Sequence, residues 1–205
     1  RYKPSSIWGY ASGIYYFAKY IEEKHKGTDF NFLKAIITSS ETLYDYQRET
    51  INRAFGKNKV YDHYGSREFY LASECSSHHG YHIHSEVILL EVVDKDNRQK
   101  PPGELGRILI TDLSNRVFPF IRYEIGDVGS LAPDNACSCG IQLPKLEKVE
   151  GRIADVIVLP DRILTPPNFT ILLSDYEGIE EYQIIQKSKT KLVLSIVRND
   201  AYKNE

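Results

Sequence analysis

The chain has 205 residues, of which 41% are hydrophobic and 26% are charged, and its formal net charge is −2 at pH 7. This is the composition of a globular protein, and it disfavours nucleic acid as a partner because no excess of basic residues would attract a phosphate backbone. No apolar run approaches the roughly 18–20 residues of a membrane span, and no signal-peptide pattern opens the sequence. The three cysteines favour a reduced compartment, so we predict a cytoplasmic protein.

A parallel α/β unit is predicted in the first third of the chain. Apolar residues at helical spacing (Ile14, Phe17, Ala18 and Ile21) predict a helix over 14–24. A buried strand over 33–38 leads through a turn into a second helix that ends at Gly56, with Ser40 or Thr42 as its expected N-cap. A further strand covers 59–63. Strand, helix and strand with short links indicate parallel pairing.

Strands dominate the rest of the chain. Those over 87–93, 105–113, 118–123 and 128–131 predict a small antiparallel sheet or barrel beside the α/β unit. After Glu150-Gly-Arg152 we expect a domain boundary, then a strand over 156–159, a helix including 169–173, and a hairpin from 182–186 and 192–197. The predicted fold class is therefore α/β, with part of a large domain over 1–151 and a truncated small α+β domain over 152–205.

Polar side chains follow the strand at 59–63, in the stretch Val60-Tyr-Asp-His-Tyr-Gly-Ser-Arg-Glu68. A strand that closes on a glycine turn places such side chains at the carboxyl edge of the sheet, where α/β folds bind ligands. A glutamate there can hold a hard cation, and a tyrosine ring can stack on a flat base. The alternative is an ordinary strand-to-loop turn.

The cysteines form a second group of interest. Cys137-Ser-Cys139-Gly140 is a tight two-thiol unit, and Cys75 lies near several histidines. Three thiols and one imidazole make a closed tetrahedral zinc site, so we predict structural Zn²⁺ on Cys75, His82, Cys137 and Cys139. His79 and His78 remain alternates to His82, and three reduced buried thiols remain the alternative to zinc.

Three segments, in order, carry a resemblance to a known family. They are Tyr64-Gly-Ser-Arg-Glu68, Pro119-Phe-Ile-Arg-Tyr-Glu-Ile-Gly-Asp-Val128 and Glu150-Gly-Arg-Ile-Ala-Asp155. Together they resemble the adenylate-forming superfamily of acyl- and aryl-CoA ligases. The match is closest to the branch of phenylacetate–CoA ligases, capsular-polysaccharide biosynthesis proteins and coenzyme F390 synthetases. The resemblance covers nearly the whole chain, from Pro4 onward, and this branch often carries a Cys/His zinc site.

The resemblance implies roles for individual residues. Tyr64 would stack on adenine, Ser66 would lie beside the phosphate, Glu68 would bind Mg²⁺, and Asp127 would hold the ribose hydroxyls. The nucleotide-binding set that we predict is Tyr64, Gly65, Ser66, Arg122 and Asp127.

Other implied roles concern the acyl group and the small domain. Ser40, Glu41 and His63 would line the carboxylate pocket. Arg152 would pair with the nucleotide, with Glu68 as the other catalytic residue. Relatives have Gly-Arg-x-Asp-Asp at the pivot of the small domain, whereas this sequence has Ala154 before Asp155, which puts the identity of the pivot residue in doubt.

The resemblance also implies an activity: ATP-dependent formation of an acyl-adenylate from a small carboxylate, then transfer to coenzyme A or another acceptor. The upstream Ser/Thr/Gly-rich phosphate loop is not found, Met is absent, and nothing after Lys191 matches the catalytic-lysine context. We therefore expect a fragment that is inactive in adenylation by itself. The rival interpretation is a non-catalytic, zinc-stabilised nucleotide-binding or interaction module. Oligomeric state, including a homodimer, is left open.

Overall fold

The computed structural model describes residues 3–134, 136–152, 156–160, 163–164, 166–174 and 176–202. The chain divides into two compact units, Arg1–Ile125 with Gly129–Lys148, and Gly126–Val128 with Val149–Glu205. The sequence-based boundary at 151/152 stays a prediction. The pivot residues Ala154 and Asp155 lie outside the described residues.

A parallel α/β layer forms the first part of the larger unit. Strands β1 (Ser6–Tyr10), β2 (Ala35–Ser39) and β3 (Val60–Gly65) are parallel and adjacent, and α1 (Ala11–Lys24) and α2 (Asp45–Phe55) connect them. The helices pack on one face of the sheet around a core of Ile14, Ala18, Ile21, Leu33, Ile36, Ile51, Phe55 and Val60. This confirms the predicted strand–helix–strand unit.

Two details of the helices differ from expectation. Phe17 is exposed because α1 turns its buried stripe of Ala11, Ile14, Ala18 and Ile21 toward the sheet. Helix α2 begins after Tyr44, whose N–H donates to the Gln47 side chain at 3.1 Å, so neither Ser40 nor Thr42 is the cap.

Antiparallel strands extend the same sheet. They are β4 (Tyr70–Ser73), β5 (Tyr81–Ile83), β6 (Ile88–Val93), β7 (Gly106–Asp112), β8 (Tyr123–Leu131) and β9 (Lys145–Arg152). The nine strands lie in the order β1-β2-β3-β4-β5-β9-β8-β7-β6. The α/β class is confirmed, but the antiparallel strands are not a separate sheet or barrel, because β4 pairs directly with β3.

The segment 118–123 is the one predicted strand that is wrong for most of its length, since 113–122 is irregular. Its aromatic residues pack against each other instead of forming a ladder. The Phe120 ring lies 5.1 Å from the Phe69 ring and 5.0 Å from the Tyr123 ring.

The smaller unit is an α+β arrangement of short elements. It contains the pair β10 (Ile157–Val158) and β11 (Ile163–Leu164), helix α3 (Pro166–Ser174), and the hairpin β12 (Ile179–Ser188) and β13 (Lys191–Arg198). The hairpin confirms the predicted pair of strands. The Gln186 amide hydrogen-bonds both the N–H and the carbonyl of Val158, at 3.0 and 2.7 Å, which ties the hairpin to β10. Across the described part of both units, no helix has the length and apolar character to cross a bilayer.

Candidate functional site

The carboxyl ends of two parallel strands meet where the sequence predicts a ligand site. Ser39 on β2 is paired with His63 on β3, so the turn that follows β2 and the end of β3 lie side by side. This register brings the predicted pocket residues Ser40 and Glu41 to the same sheet edge as His63 and Tyr64. Polar groups from two loops therefore converge at the edge that α/β folds use for ligands.

The turn after β3 is held by its own hydrogen bonds. The Ser66 N–H donates to the Phe69 carbonyl at 3.0 Å, and the Ser66 hydroxyl donates to the Glu68 carboxylate at 2.7 Å. That hydroxyl bond lowers the pKa of Glu68, as does the backbone. Glu68 is exposed and ionised, which are the properties needed of a lone carboxylate ligand for Mg²⁺.

Gly65 is required here for space. A Cβ at this position would lie 2.7 Å from the Phe69 carbonyl oxygen and 3.1 Å from His63 Nε2. Any other residue would push the turn open or displace the imidazole.

Ser40 and Glu41 have structural roles at the end of β2. Ser40 has φ of 69°, a left-handed conformation that reverses the chain after the strand. The Glu41 carboxylate accepts the Ser12 N–H at 2.9 Å, which caps the start of α1 from another segment. From the sequence, this turn could either cap a helix or line the pocket. The structure shows the hydrogen bond from the Ser12 N–H to Glu41, and the pocket role of Ser40 and Glu41 stays a prediction.

The remaining predicted nucleotide residues lie farther along the chain. Asp127 follows Gly126 on β8 and is partly buried, and Arg152 ends β9 and is exposed; both belong to the smaller unit. Arg122 belongs to the larger unit, where it ion-pairs with Glu91 at 3.1 Å and donates to the Asn97 carbonyl. A role for Arg122 in nucleotide binding would require it to share or leave these partners.

The four predicted zinc ligands are brought together. Ligand atoms of Cys75, His82, Cys137 and Cys139 all lie within 4.8 Å of one another. Cys75 Sγ is 3.5 Å from Cys137 Sγ, and Cys139 Sγ is 3.3 Å from His82 Nε2. Ligands about 2.3 Å from one tetrahedral zinc would be roughly 3.8 Å apart, so the donor set fits the ion in kind and in spacing. His79 and His78 are not members of this cluster.

The local environment affects two thiols of this cluster differently: the pKa of Cys137 is lowered, whereas the pKa of Cys139 is raised, because the lowering effect of the Ile141 N–H is outweighed by burial and by the neighbouring thiols. The Ser77 hydroxyl lies 2.9 Å from Cys75 Sγ and 3.2 Å from Cys137 Sγ. The Ser77 hydrogen bond and the Cys139 N–H lower the pKa of Cys137 to about 5. Among the described residues, His82 Nδ1 is buried without a hydrogen-bond partner.

A buried polar network connects β3 to the loop after β4, which bears Cys75. Asp62 accepts hydrogen bonds from the Thr38 hydroxyl at 2.6 Å and from the Tyr81 hydroxyl at 2.8 Å. Its backbone N–H donates to Glu74, which pairs with Arg48 at 2.7 Å. Burial raises the pKa of both Asp62 and Tyr81.

A cavity of about 330 Å³ opens on the sheet face opposite the helices, and His63 lines it. His63 Nδ1 lies 2.9 Å from the Ser73 hydroxyl, which lies 3.1 Å from His84 Nε2. Burial, and then the neighbouring His84, lower the pKa of His63. Trp8 and Tyr70 form part of the wall.

Of the residues that line this cavity, His63 alone had a pocket role predicted from the sequence. The signal for His84 was available, because the alternation in His82-Ile-His84 places both histidines on one face of a strand. Trp8 and Ser73 gave no comparable signal.

The chain resembles known ligases in sequence and in fold. The chain is 30% identical over 125 residues to a phenylacetate–coenzyme A ligase of Thermus thermophilus, covering 60% of the chain and 28% of that protein. It is 24% identical over 207 residues to the protein CapK of Staphylococcus aureus, covering 100% of the chain and 44% of CapK. Its structure matches 2-hydroxyisobutyryl-CoA ligase, solved in the postadenylation state with an acyl-AMP, with a TM-score of 0.80 and 26% identity over 97% of the chain.

The chain is therefore similar, in sequence and in fold, to coenzyme A ligases. No family model matches the sequence. An anthranilate CoA ligase with bound anthranoyl-AMP shows the same fold, with a TM-score of 0.75 at 16% identity. The chain spans less than half the length of these ligases: 28% of the Thermus protein, and 44% of both CapK and the 2-hydroxyisobutyryl-CoA ligase chain.

Proposed function

We propose that the chain is part of an ATP-dependent enzyme that activates a carboxylate as an acyl-adenylate and then transfers the acyl group to coenzyme A or another acceptor. The observation that carries this proposal is the Tyr64–Glu68 turn, because it presents a ring, a hydroxyl and an ionised carboxylate at the carboxyl edge of a ligase-like sheet.

In adenylation, some residues of the chain would bind the nucleotide, and others would help to neutralise the negative charge of its phosphates. Tyr64 supplies a face for adenine, and Asp127 has two oxygens that can accept from the ribose hydroxyls. Glu68 would hold Mg²⁺, which neutralises charge on the phosphates when bound. Arg152 offers a guanidinium fork for ribose or phosphate oxygens.

The second half-reaction depends on the smaller domain. We propose that residues 152–205 begin a mobile domain that reorients between adenylation and acyl transfer, with 1–151 forming the end of the large domain. Coenzyme A is the acceptor that the names of the phenylacetate– and 2-hydroxyisobutyryl–coenzyme A ligases favour. The similarity to CapK keeps a capsule-related acceptor as the other choice.

Zinc would have a structural role on Cys75, His82, Cys137 and Cys139. Three thiols and an imidazole fill a tetrahedron, so no position is left for a substrate. The ion would join the loop after β4 to the loop between β8 and β9, two segments that are about 60 residues apart in sequence.

The proposal can be tested by nucleotide binding to the 205-residue chain. We expect weak, magnesium-dependent AMP binding that shifts the NMR signals of Tyr64 and Asp127, is reduced at least about tenfold by Asp127→Ala, and is unchanged by Asp134→Ala on an exposed loop. ATP–pyrophosphate exchange by this chain alone is expected to be absent. An absence of AMP binding would overturn the proposal, and zinc binding without AMP binding would favour the interaction module.

A further inference from the structure

We infer that Cys75 and Cys137 form a reversible disulfide when a peroxide oxidises the Cys/His cluster, and that formation of this bond releases the zinc ion. The cluster would then be a redox-controlled metal site, in which a metal link and a covalent link between the same two loops replace each other. This inference rests on the zinc binding proposed above, and it adds the chemistry by which the chain's own thiols end that binding.

The two thiols lie close together in the fold. Cys75 Sγ is 3.5 Å from Cys137 Sγ, although the two residues are 62 positions apart in the sequence. The Ser77 hydroxyl lies 2.9 Å from the first sulfur and 3.2 Å from the second, so one side chain contacts both members of the pair. Since a disulfide bond is about 2 Å long, the sulfur atoms must approach by only about 1.5 Å from their separation of 3.5 Å.

The surroundings of Cys139 favour Cys75 as the partner of Cys137. Cys139 Sγ lies 3.3 Å from His82 Nε2 and accepts the Ile141 N–H at 3.4 Å. A bond between Cys137 and Cys139 would close a ring across a single intervening residue, where the dihedral angle of about 90° that a disulfide needs is hard to reach. The long connection between Cys75 and Cys137 imposes no such restriction.

An oxidant reaches Cys137 more easily than Cys75. Cys137 is partly exposed on the loop between β8 and β9, whereas Cys75 is buried, with 8% of its surface accessible. The backbone also fixes Cys75 after β4, since its carbonyl accepts the His78 N–H at 3.1 Å and the preceding Glu74 N–H donates to the Asp62 carbonyl at 2.9 Å. The exposed thiol can therefore react with a small oxidant, while the buried thiol stays in place to react with the product.

The reaction balances with a peroxide as the oxidant. Thiols that bind zinc do so as thiolates. The Cys137 thiolate attacks one peroxide oxygen, the O–O bond breaks and hydroxide leaves, which gives a sulfenic acid. The Cys75 thiolate then attacks the Cys137 sulfur, the S–OH bond breaks, and a second hydroxide leaves as the disulfide forms. The two thiolates lose two electrons, which the peroxide accepts, and the oxidation state of zinc does not change.

Oxidation removes two of the four zinc ligands. A disulfide sulfur carries no negative charge, so only Cys139 and His82 would remain as donors in the cluster. Two ligands hold zinc far more weakly than a closed tetrahedron of four. The new bond still joins the loop after β4 to the loop between β8 and β9. Because it also restricts the unfolded chain, we expect the oxidised, zinc-free protein to stay folded.

The test follows zinc and thiols together in the purified 205-residue protein. Zinc-loaded protein is treated with a small excess of hydrogen peroxide, the released zinc is measured with a chromogenic chelator, and disulfides are mapped by mass spectrometry after proteolysis. We expect about one zinc released per Cys75–Cys137 disulfide, and a chain mass about 2 Da below that of the reduced chain, because two hydrogen atoms are lost. Dithiothreitol followed by zinc should restore the starting metal content.

Variants assign the bond to this pair of thiols. Cys75→Ser and Cys137→Ser should each fail to form the mapped disulfide, whereas Cys139→Ser, which keeps the pair, should still form it. His79→Gln changes a histidine outside the cluster and should release zinc as the wild type does. If the cysteine variants lose their folded NMR spectra, disulfide mapping in the wild type decides the question alone.

Stability gives a second readout that needs no variant. Zinc-free protein is prepared in two forms, one oxidised by peroxide and one kept reduced and stripped of metal by a chelator. The oxidised form should unfold at a higher urea concentration, because the disulfide limits its unfolded chain and the reduced form has neither link. An oxidised form that unfolds at the lower urea concentration would contradict the exchange of one link for the other.

The outcomes separate this inference from the zinc proposal. Purified protein that binds no zinc rejects the zinc site and, with it, the release of the metal. Zinc that stays bound under peroxide, a disulfide between Cys137 and Cys139, or sulfinic acid in place of a disulfide would overturn the inference and leave the zinc site standing. Binding of AMP with Mg²⁺ is measured separately and does not bear on either result.

Discussion

Glu74 accepts the backbone N–H of Asp62 at 2.8 Å, and this bond joins β3, which leads into the Tyr64–Glu68 turn, to the loop after β4 that bears Cys75. Asp62 lies two residues before Tyr64, and Glu74 lies directly before Cys75. A displacement of either segment would therefore strain the other. The same carboxylate is held from α2 by Arg48, which also donates to the Val60 carbonyl at 2.9 Å.

Arg48→Met should be strongly destabilising, by about 3–5 kcal/mol, because it removes the guanidinium from the buried Glu74 carboxylate and leaves it with His78 Nδ1 at 3.4 Å and the Asp62 N–H. The Glu74 side chain is only 7% exposed. Arg53→Met is the matched control on the same helix, since its pair with Glu22 is exposed and should contribute less than about 1 kcal/mol. Urea unfolding of both variants measures the difference, and equal losses would contradict the account.

The raised pKa of Asp62 leads us to expect that its contribution to stability depends on pH. Burial is the largest cause of its raised pKa, and the hydroxyl bonds from Thr38 and Tyr81 oppose it. Because the folded state then binds a proton on Asp62 more tightly than the unfolded state does, the contribution of Asp62 to stability is fully present below the ordinary value of 3.8 and is lost as pH rises through the folded pKa.

Asp62→Asn removes this titration. The amide has one accepting oxygen where the carboxylate has two, so the variant loses one accepted hydrogen bond, and this loss is the same at every pH. The free energy of unfolding of the wild type, relative to that of Asp62→Asn, should decrease as pH rises from below 3.8 and become constant above the folded pKa. Urea titrations at a series of pH values measure it. A difference that does not change with pH would show that Asp62 titrates normally.

Local patterns predicted the parts of this molecule that local physics determines. The spacing of Ile14, Ala18 and Ile21 indicated the buried face of α1, and Cys137-x-Cys139 indicated a two-thiol unit whose partners the structure supplies. The strand predicted at 118–123 failed because apolar residues such as Phe120 and Tyr123 are equally suited to an aromatic cluster.

The cavity could not be predicted in the same way because long-range pairing assembles it. Ser73 meets His63 because β4 turns back on β3, and it meets His84 through the β4–β5 pairing. Trp8 arrives from a strand more than fifty residues upstream. Residue type alone does not indicate such neighbours.

The metal cluster predicts one zinc per chain. Purified protein should contain close to one equivalent by mass spectrometry, and Cys139→Ser should lower both the zinc content and the free energy of unfolding, the latter by more than about 3 kcal/mol, because metal binding contributes directly to folding. His79→Gln changes a histidine outside the cluster and should keep the metal. A wild-type content well below one equivalent would leave three reduced thiols as the better description.

The close approach of the chain at Gly65 gives a prediction for the Tyr64–Glu68 turn. Gly65→Ala places a methyl group 2.7 Å from the Phe69 carbonyl, which accepts the Ser66 N–H, so Ser66 and Glu68 must move. We expect AMP affinity to fall at least about tenfold while the chain stays folded, because Ser66 and Glu68, which must move, are exposed.

The control for this variant is Gly13→Ala, since a Cβ at Gly13 meets nothing within 4 Å and the residue lies inside α1. That change should raise stability by about 0.5–1 kcal/mol and leave AMP binding unaltered. Calorimetric titration with AMP and Mg²⁺ compares the two variants. Undiminished binding by Gly65→Ala would mean that the turn tolerates a shift, and the close approach at Gly65 would then have no part in holding the nucleotide.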